Sequence, residues 1–106
     1  MPVIFSYFLT DYFTNPKRIE DIDTVIKDFK SREDEQMHQE LIFELREIIR
    51  EANYRNLAPI IKEHSGKEMK PFFVELFVKY LCDKITTTPT ALNATFLRQI
   101  SKISPE

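Results

Sequence analysis

The sequence predicts an all-α fold, a single compact bundle of about six helices around one central, aromatic-rich helix. Three observations predict it. Apolar residues recur at three- and four-residue spacing through most of the chain, the period of amphipathic helices. The 106 residues contain one glycine, Gly66, whereas folds built on many tight turns need several. Nine Phe and four Tyr supply a heavy core, and a chain of this length can bury roughly two thirds of its unfolded surface without staples.

The pivotal stretch is Pro71 to Ile85, PFFVELFVKYLCDKI. On a helix, Phe72, Phe73, Leu76, Phe77, Tyr80 and Leu81 fall on one broad face, and Val74 and Val78 extend it. Glu75, Lys79 and Asp83 leave a narrow polar strip of alternating sign. Pro71 suits a first helical turn, where its missing N–H is not needed. The expectation is a helix covered on several sides.

The other elements follow in order. Residues 3–13 place Phe5, Phe8, Leu9, Tyr12 and Phe13 at helical spacing, and Asn15-Pro16 marks a stop and a turn. From Lys17 to Lys30, Ile19, Ile22, Val25, Ile26 and Phe29 form one stripe, with Glu20 and Asp21 near the positive helix start. Ser31-Arg-Glu-Asp34 reads as a capping box opening the longest helix, to about Ala52. Its core face is Met37, Leu41, Leu45, Ile48, Ile49 and Ala52, beside a stripe of Glu40, Glu44, Glu47 and Glu51. Like charges so spaced cost a few tenths of a kcal/mol per pair, so the stripe calls for compensating cations, from the C-terminal half or from a partner. Asn53 ends that helix and Asn56 caps the next, which closes on Gly66 in a left-handed conformation. After the Thr86–Thr90 loop, Leu92, Phe96, Ile100 and Ile103 describe a last amphipathic helix. No repeat or linker divides residues 1–106, so one domain is expected.

The charge is uneven. Residues 1–52 hold 12 acidic and 7 basic side chains, net −5, and residues 53–106 hold 5 acidic and 8 basic, net +3. The acidic front half repels nucleic acid and attracts a basic partner. No basic run interleaved with aromatics appears, and no glycine-rich phosphate loop. Glu35-x-x-His38 is half of a carboxylate-bridged di-metal motif, but Ile61 stands three before His64, so the second half is missing. Both histidines are therefore expected at the surface or rim. Cys82, the single cysteine, reads as a small buried hydrophobe and fits a reducing compartment. No targeting or membrane-spanning segment is recognisable, so a soluble, cytoplasmic protein is expected. No catalytic residue, metal or cofactor is expected.

The whole pattern resembles the small helical immunity proteins (CdiI) of bacterial contact-dependent growth inhibition systems. The resemblance rests on Phe8-Leu-Thr-Asp-Tyr12-Phe13 in a short first helix, Ile26-Lys-Asp-Phe29 in the second, and the Glu44-Leu45 pair in a long third. A short helix closing on Gly66 and an aromatic-rich helix complete it. It covers about residues 5–85, leaving 86–106 as an added helix. The resemblance implies a non-enzymatic role: binding and neutralising the toxic C-terminal domain of a CdiA-type protein, a nuclease and first of all a ribonuclease. An acidic cap over a basic cleft is the physically sensible inhibitor, acting as a monomer before complex formation, without contact to nucleic acid or membrane. The contact candidates are Asp21, Asp23, Asp28, Glu33, Asp34, Glu35, Glu40, Glu44, Glu47 and Glu51. Helix-end electrostatics is the competing account of Glu20, Asp21 and Asp34. The alternative role is a helical scaffold that self-associates.

Overall fold

In a computed structural model, which describes residues 2–87, five α-helices and one 3₁₀ turn follow one another without a strand among those residues. They are α1 (Val3–Tyr12), the 3₁₀ turn Ile19–Asp21, α2 (Ile22–Arg32), α3 (Glu35–Glu51), α4 (Tyr54–Ser65) and α5 (Pro71–Thr87). The sixth helix expected after Thr90 lies outside the described residues.

Each helix delivers its periodic face to one common core. α1 contributes Phe5, Phe8, Leu9 and Tyr12, α2 contributes Val25, Ile26 and Phe29, and α3 contributes Leu41, Ile42 and Leu45. α5 packs against α2, α3 and α4, and α1 packs against α2, α3 and α4. The aromatics meet edge to face where they can: Phe29 stands against Phe8 and Tyr12 with centroids 5.3 and 5.2 Å apart. At the end of α1, Phe13 stacks on Phe77 of α5 at 5.4 Å.

α5 is helical over the expected stretch, but only part of the expected apolar face is buried. Val74, Phe77, Val78, Leu81 and Ile85 are buried, whereas Phe72, Leu76 and Tyr80 are exposed by 66, 58 and 39%. The helix is apolar on nearly every side, so periodicity could not choose its inner face. Val74, Val78 and Ile85 join Phe77 and Leu81 in the crowded interior, and Phe72, Leu76 and Tyr80 point out. Cys82 is half-buried against the core as a free thiol.

Three boundary readings change as well. α2 runs on through Arg32, so Ser31 sits in its last turn and donates its hydroxyl to the Asp28 carbonyl. Asp34, not Ser31, caps α3, accepting from the Met37 amide at 2.9 Å. The turn between α3 and α4 uses Ala52 in the left-handed region, φ 56°, with Asn53 at the start of α4 and Asn56 already inside it.

Lys30 is buried and ties α2 to α5. Its ammonium donates to the Ile85 carbonyl at 2.5 Å, meeting the negative end of α5 with a cation. Burial pushes this ammonium below its ordinary value. Nearby, His38 is buried too, against Phe29 and not at the rim, and both ring nitrogens lack a hydrogen-bond partner. The Glu35 carboxylate stands 3.6 Å from Nδ1, too far for a hydrogen bond.

Gly66 closes α4 as expected, with φ 76° and its amide on the Lys62 carbonyl. A Cβ there would meet only the Asn15 side chain, at an ordinary 3.5 Å. The cost of substitution is therefore conformational, and Gly66→Ala should lower unfolding free energy by about 1 kcal/mol, readable by urea denaturation.

Candidate functional site

α1 has no acid in its first turn, no base in its last turn, and Pro2 at its start offers no side-chain cap. The rest of the chain supplies both. The Glu44 carboxylate, on α3, accepts from the amides of Ile4 and Phe5 at 3.0 and 2.8 Å. At the other end, the Lys67 ammonium donates to the Phe13 carbonyl at 2.7 Å and lies 4.3 Å from the centre of the Phe13 ring. Each charge meets the helix end of opposite sign. Midway, the Glu33 carboxylate accepts from the hydroxyls of Tyr7 and Tyr12 at 2.6 and 2.5 Å. Two of the predicted partner-binding acids, Glu33 and Glu44, thus hold α1 in place.

Most of the other acids also have local partners. Asp21 accepts from the Arg18 amide at 2.9 Å, and Asp34 caps α3. Asp23 accepts from the Tyr80 hydroxyl of α5. Asp28 pairs with Arg32 at 2.9 Å and Glu47 with Arg50, both on their own helices. Glu35 accepts from the Gln39 amide at 2.8 Å and Glu40 from the Gln36 amide at 3.2 Å. Glu51 is exposed at the end of α3. Cations of the C-terminal half do not neutralise the α3 stripe among the described residues. Its charge is met by α1 amides, by Arg50 and by glutamines of the same helix, interactions that leave the outer carboxylates facing water.

On this acidic face the structure adds a residue that the sequence reading passes over. Phe43 is 63% exposed, and Val3, at the start of α1, is 68% exposed. They border a groove of about 430 Å³ whose other walls are Ile4, Gln36, Gln39, Glu40 and Glu44. Glu47, one turn along α3, extends the acidic side, and Arg46 is the neighbouring cation. Phe43 lies nearly opposite Leu41 and Leu45 on the helix, at the edge of the Glu40–Glu47 stripe with Arg46 and Arg50 on its other side. An apolar ring away from the core face is a signal readable from spacing alone.

No group of three or more ligating side chains able to hold a metal occurs among the described residues. His64, half-buried, shares a 3.1 Å hydrogen bond with Thr10. No helix of the described residues is long and apolar enough to cross a membrane. No protein-family model, curated protein or solved structure matches the chain.

The ties of α1 make two predictions. Glu44→Ala leaves two helix-start amides without their acceptor and should cost about 1–2 kcal/mol in unfolding free energy, measured by thermal or urea denaturation. The second concerns alkali. The Glu33 hydrogen bond holds Tyr7 above its ordinary value, and burial with the same bond holds Tyr12 well above it. A raised folded value means that this stability is complete below pH 10 and is lost as pH rises through the folded values. In Glu33→Gln, near-ultraviolet titration should show tyrosinate forming at lower pH than in the parent protein.

Proposed function

We propose that this chain is an immunity protein that binds and neutralises the toxic C-terminal domain of a CdiA-type protein, a nuclease, by occluding its basic cleft. The observation that carries the reading is the exposed Phe43–Val3 patch beside Glu40 and Glu44, with Glu47 one turn along α3. An apolar anchor inside a charged rim is the anatomy of a binding hot spot. Carboxylates around it select a cationic partner and speed encounter. The sequence resemblance supplies the toxin as that partner.

Within the acidic surface of residues 20–51 the contact set narrows under this reading. Of the α3 stripe, Glu40, Glu47 and Glu51 are the acids not tied to α1, and Phe43 joins them. Glu33 and Glu44 act one step back, by fixing the α1 end that carries Val3. Asp21, Asp23, Asp28, Asp34 and Glu35 contribute field more than contact.

A second reading, a self-associating scaffold, draws on the exposed α5 side chains Phe72, Leu76 and Tyr80. One experiment separates the two. The tagged chain is used for affinity capture from source-cell lysate at low and high salt, and the captured protein is identified and assayed for nuclease activity with and without the chain. The immunity reading expects one basic toxin fragment, inhibited at equal stoichiometry and captured less well at high salt. Phe43→Ala should weaken that complex by about 2 kcal/mol or more, roughly thirtyfold. Capture of the chain's own copies alone, with no inhibited activity, would sink the immunity reading and favour the scaffold.

A further inference from the structure

An open cleft of about 780 Å³ separates the turn after α1 from the connection between α4 and α5. Segments far apart in sequence build it, which is why no basic-aromatic run marks it in the chain. One wall carries Lys17, Arg18 and Ile19, and the other carries Lys67, Met69 and Lys70. Phe72 and Phe73, exposed by 66 and 38%, complete the apolar lining.

The walls are held by the fold. The Arg18 amide is fixed on the Asp21 carboxylate, and the Lys70 carbonyl accepts the Phe73 and Val74 amides at 2.9 Å each. Lys67 is committed to the Phe13 carbonyl, so it is part of the frame. The two carboxylates of the cleft are already engaged, Glu20 with Arg18 at 3.8 Å and Glu68 with Lys62 at 3.5 Å. Lys17 and Lys70 have no ion pair among the described residues. The cleft therefore presents uncompensated positive charge beside exposed aromatic rings.

We infer that this cleft binds an acidic peptide segment of a partner protein, with Lys17 and Lys70 on its carboxylates and Phe72 and Phe73 against an apolar side chain. Charge complementarity selects the occupant. A small inorganic anion would leave the rings uncovered. A nucleic-acid strand needs a longer row of free cations than Lys17 and Lys70 provide, on a chain of net charge −2. A short peptide alternating carboxylates with apolar side chains meets both features. The inference is independent of the toxin reading, which rests on the groove between α1 and α3.

The test uses the full chain and a fluorescein-labelled peptide of glutamates flanking a central Phe-Leu pair, followed by fluorescence anisotropy. Saturable binding that weakens with added salt is expected. The double variant K17E/K70E should weaken it about tenfold or more, and Phe72→Ala should weaken it severalfold. These side chains are exposed, and circular dichroism of each variant checks that the helices are retained. Absence of saturable binding overturns the inference. So does equal affinity for the same peptide with glutamine in place of glutamate, an unchanged affinity in K17E/K70E, or tighter binding of a labelled oligouridine.

Discussion

The hydrogen bonds from the start of α1 to the Glu44 carboxylate are the constraint on which the rest of this fold leans. α1 is a ten-residue helix, too short to be stable alone, and it carries no charge of its own suited to either end. Its macrodipole is balanced from outside, by Glu44 at the N-terminus and Lys67 at the C-terminus. Once docked, α1 brings Phe5, Phe8, Leu9, Tyr12 and Phe13 into the core, and Phe13 reaches Phe77 across the bundle. Burial of these side chains is the larger energy, but burial alone does not set how the helix is placed. The Glu44 amide bonds and the two tyrosine hydroxyls on Glu33 do so at both ends and the middle.

That arrangement also explains how an acidic stripe survives on α3. Like charges at three- and four-residue spacing repel. Glu44 is drawn inward to the α1 amides, Glu47 to Arg50, and Glu40 to Gln36. The stripe is thus divided into one structural acid and several outward ones. Since both kinds are glutamates in the same pattern, sequence spacing has no means of telling them apart.

The helical class, the extent of α1 and α5, the α2 stripe and the Gly66 closure were all legible in the sequence. They follow from local period and from a conformation few residues tolerate. What escaped was decided by tertiary context. Period alone could not choose the inner face of α5, because nearly all of that helix is apolar; packing against α2, α3 and α4 turned Val74, Phe77, Val78 and Leu81 inward and left Phe72 and Leu76 outside. The cap of α3 moved from Ser31 to Asp34 because α2 continued farther than its apolar stripe. His38 is buried because Phe29 of α2 comes to lie against it, a long-range fact. For the candidate site, the acidic surface was visible as composition, whereas the groove at Phe43 needed α1 laid beside α3. The cleft at Lys17 and Lys70 needed two connections brought together.

The exposed Phe43 ring has a consequence for the kind of surface that can cover it. An apolar patch on a surface ordinarily invites copies to stick. Here the ring is bordered by the Glu40 and Glu47 carboxylates, so whatever covers Phe43 must also keep those charges hydrated or pair them. A purely apolar surface meets the ring and strands the carboxylates, and a purely cationic one meets the carboxylates and leaves the ring in water. The patch thus sets a two-part demand on its company, apolar at the middle and cationic at the edge.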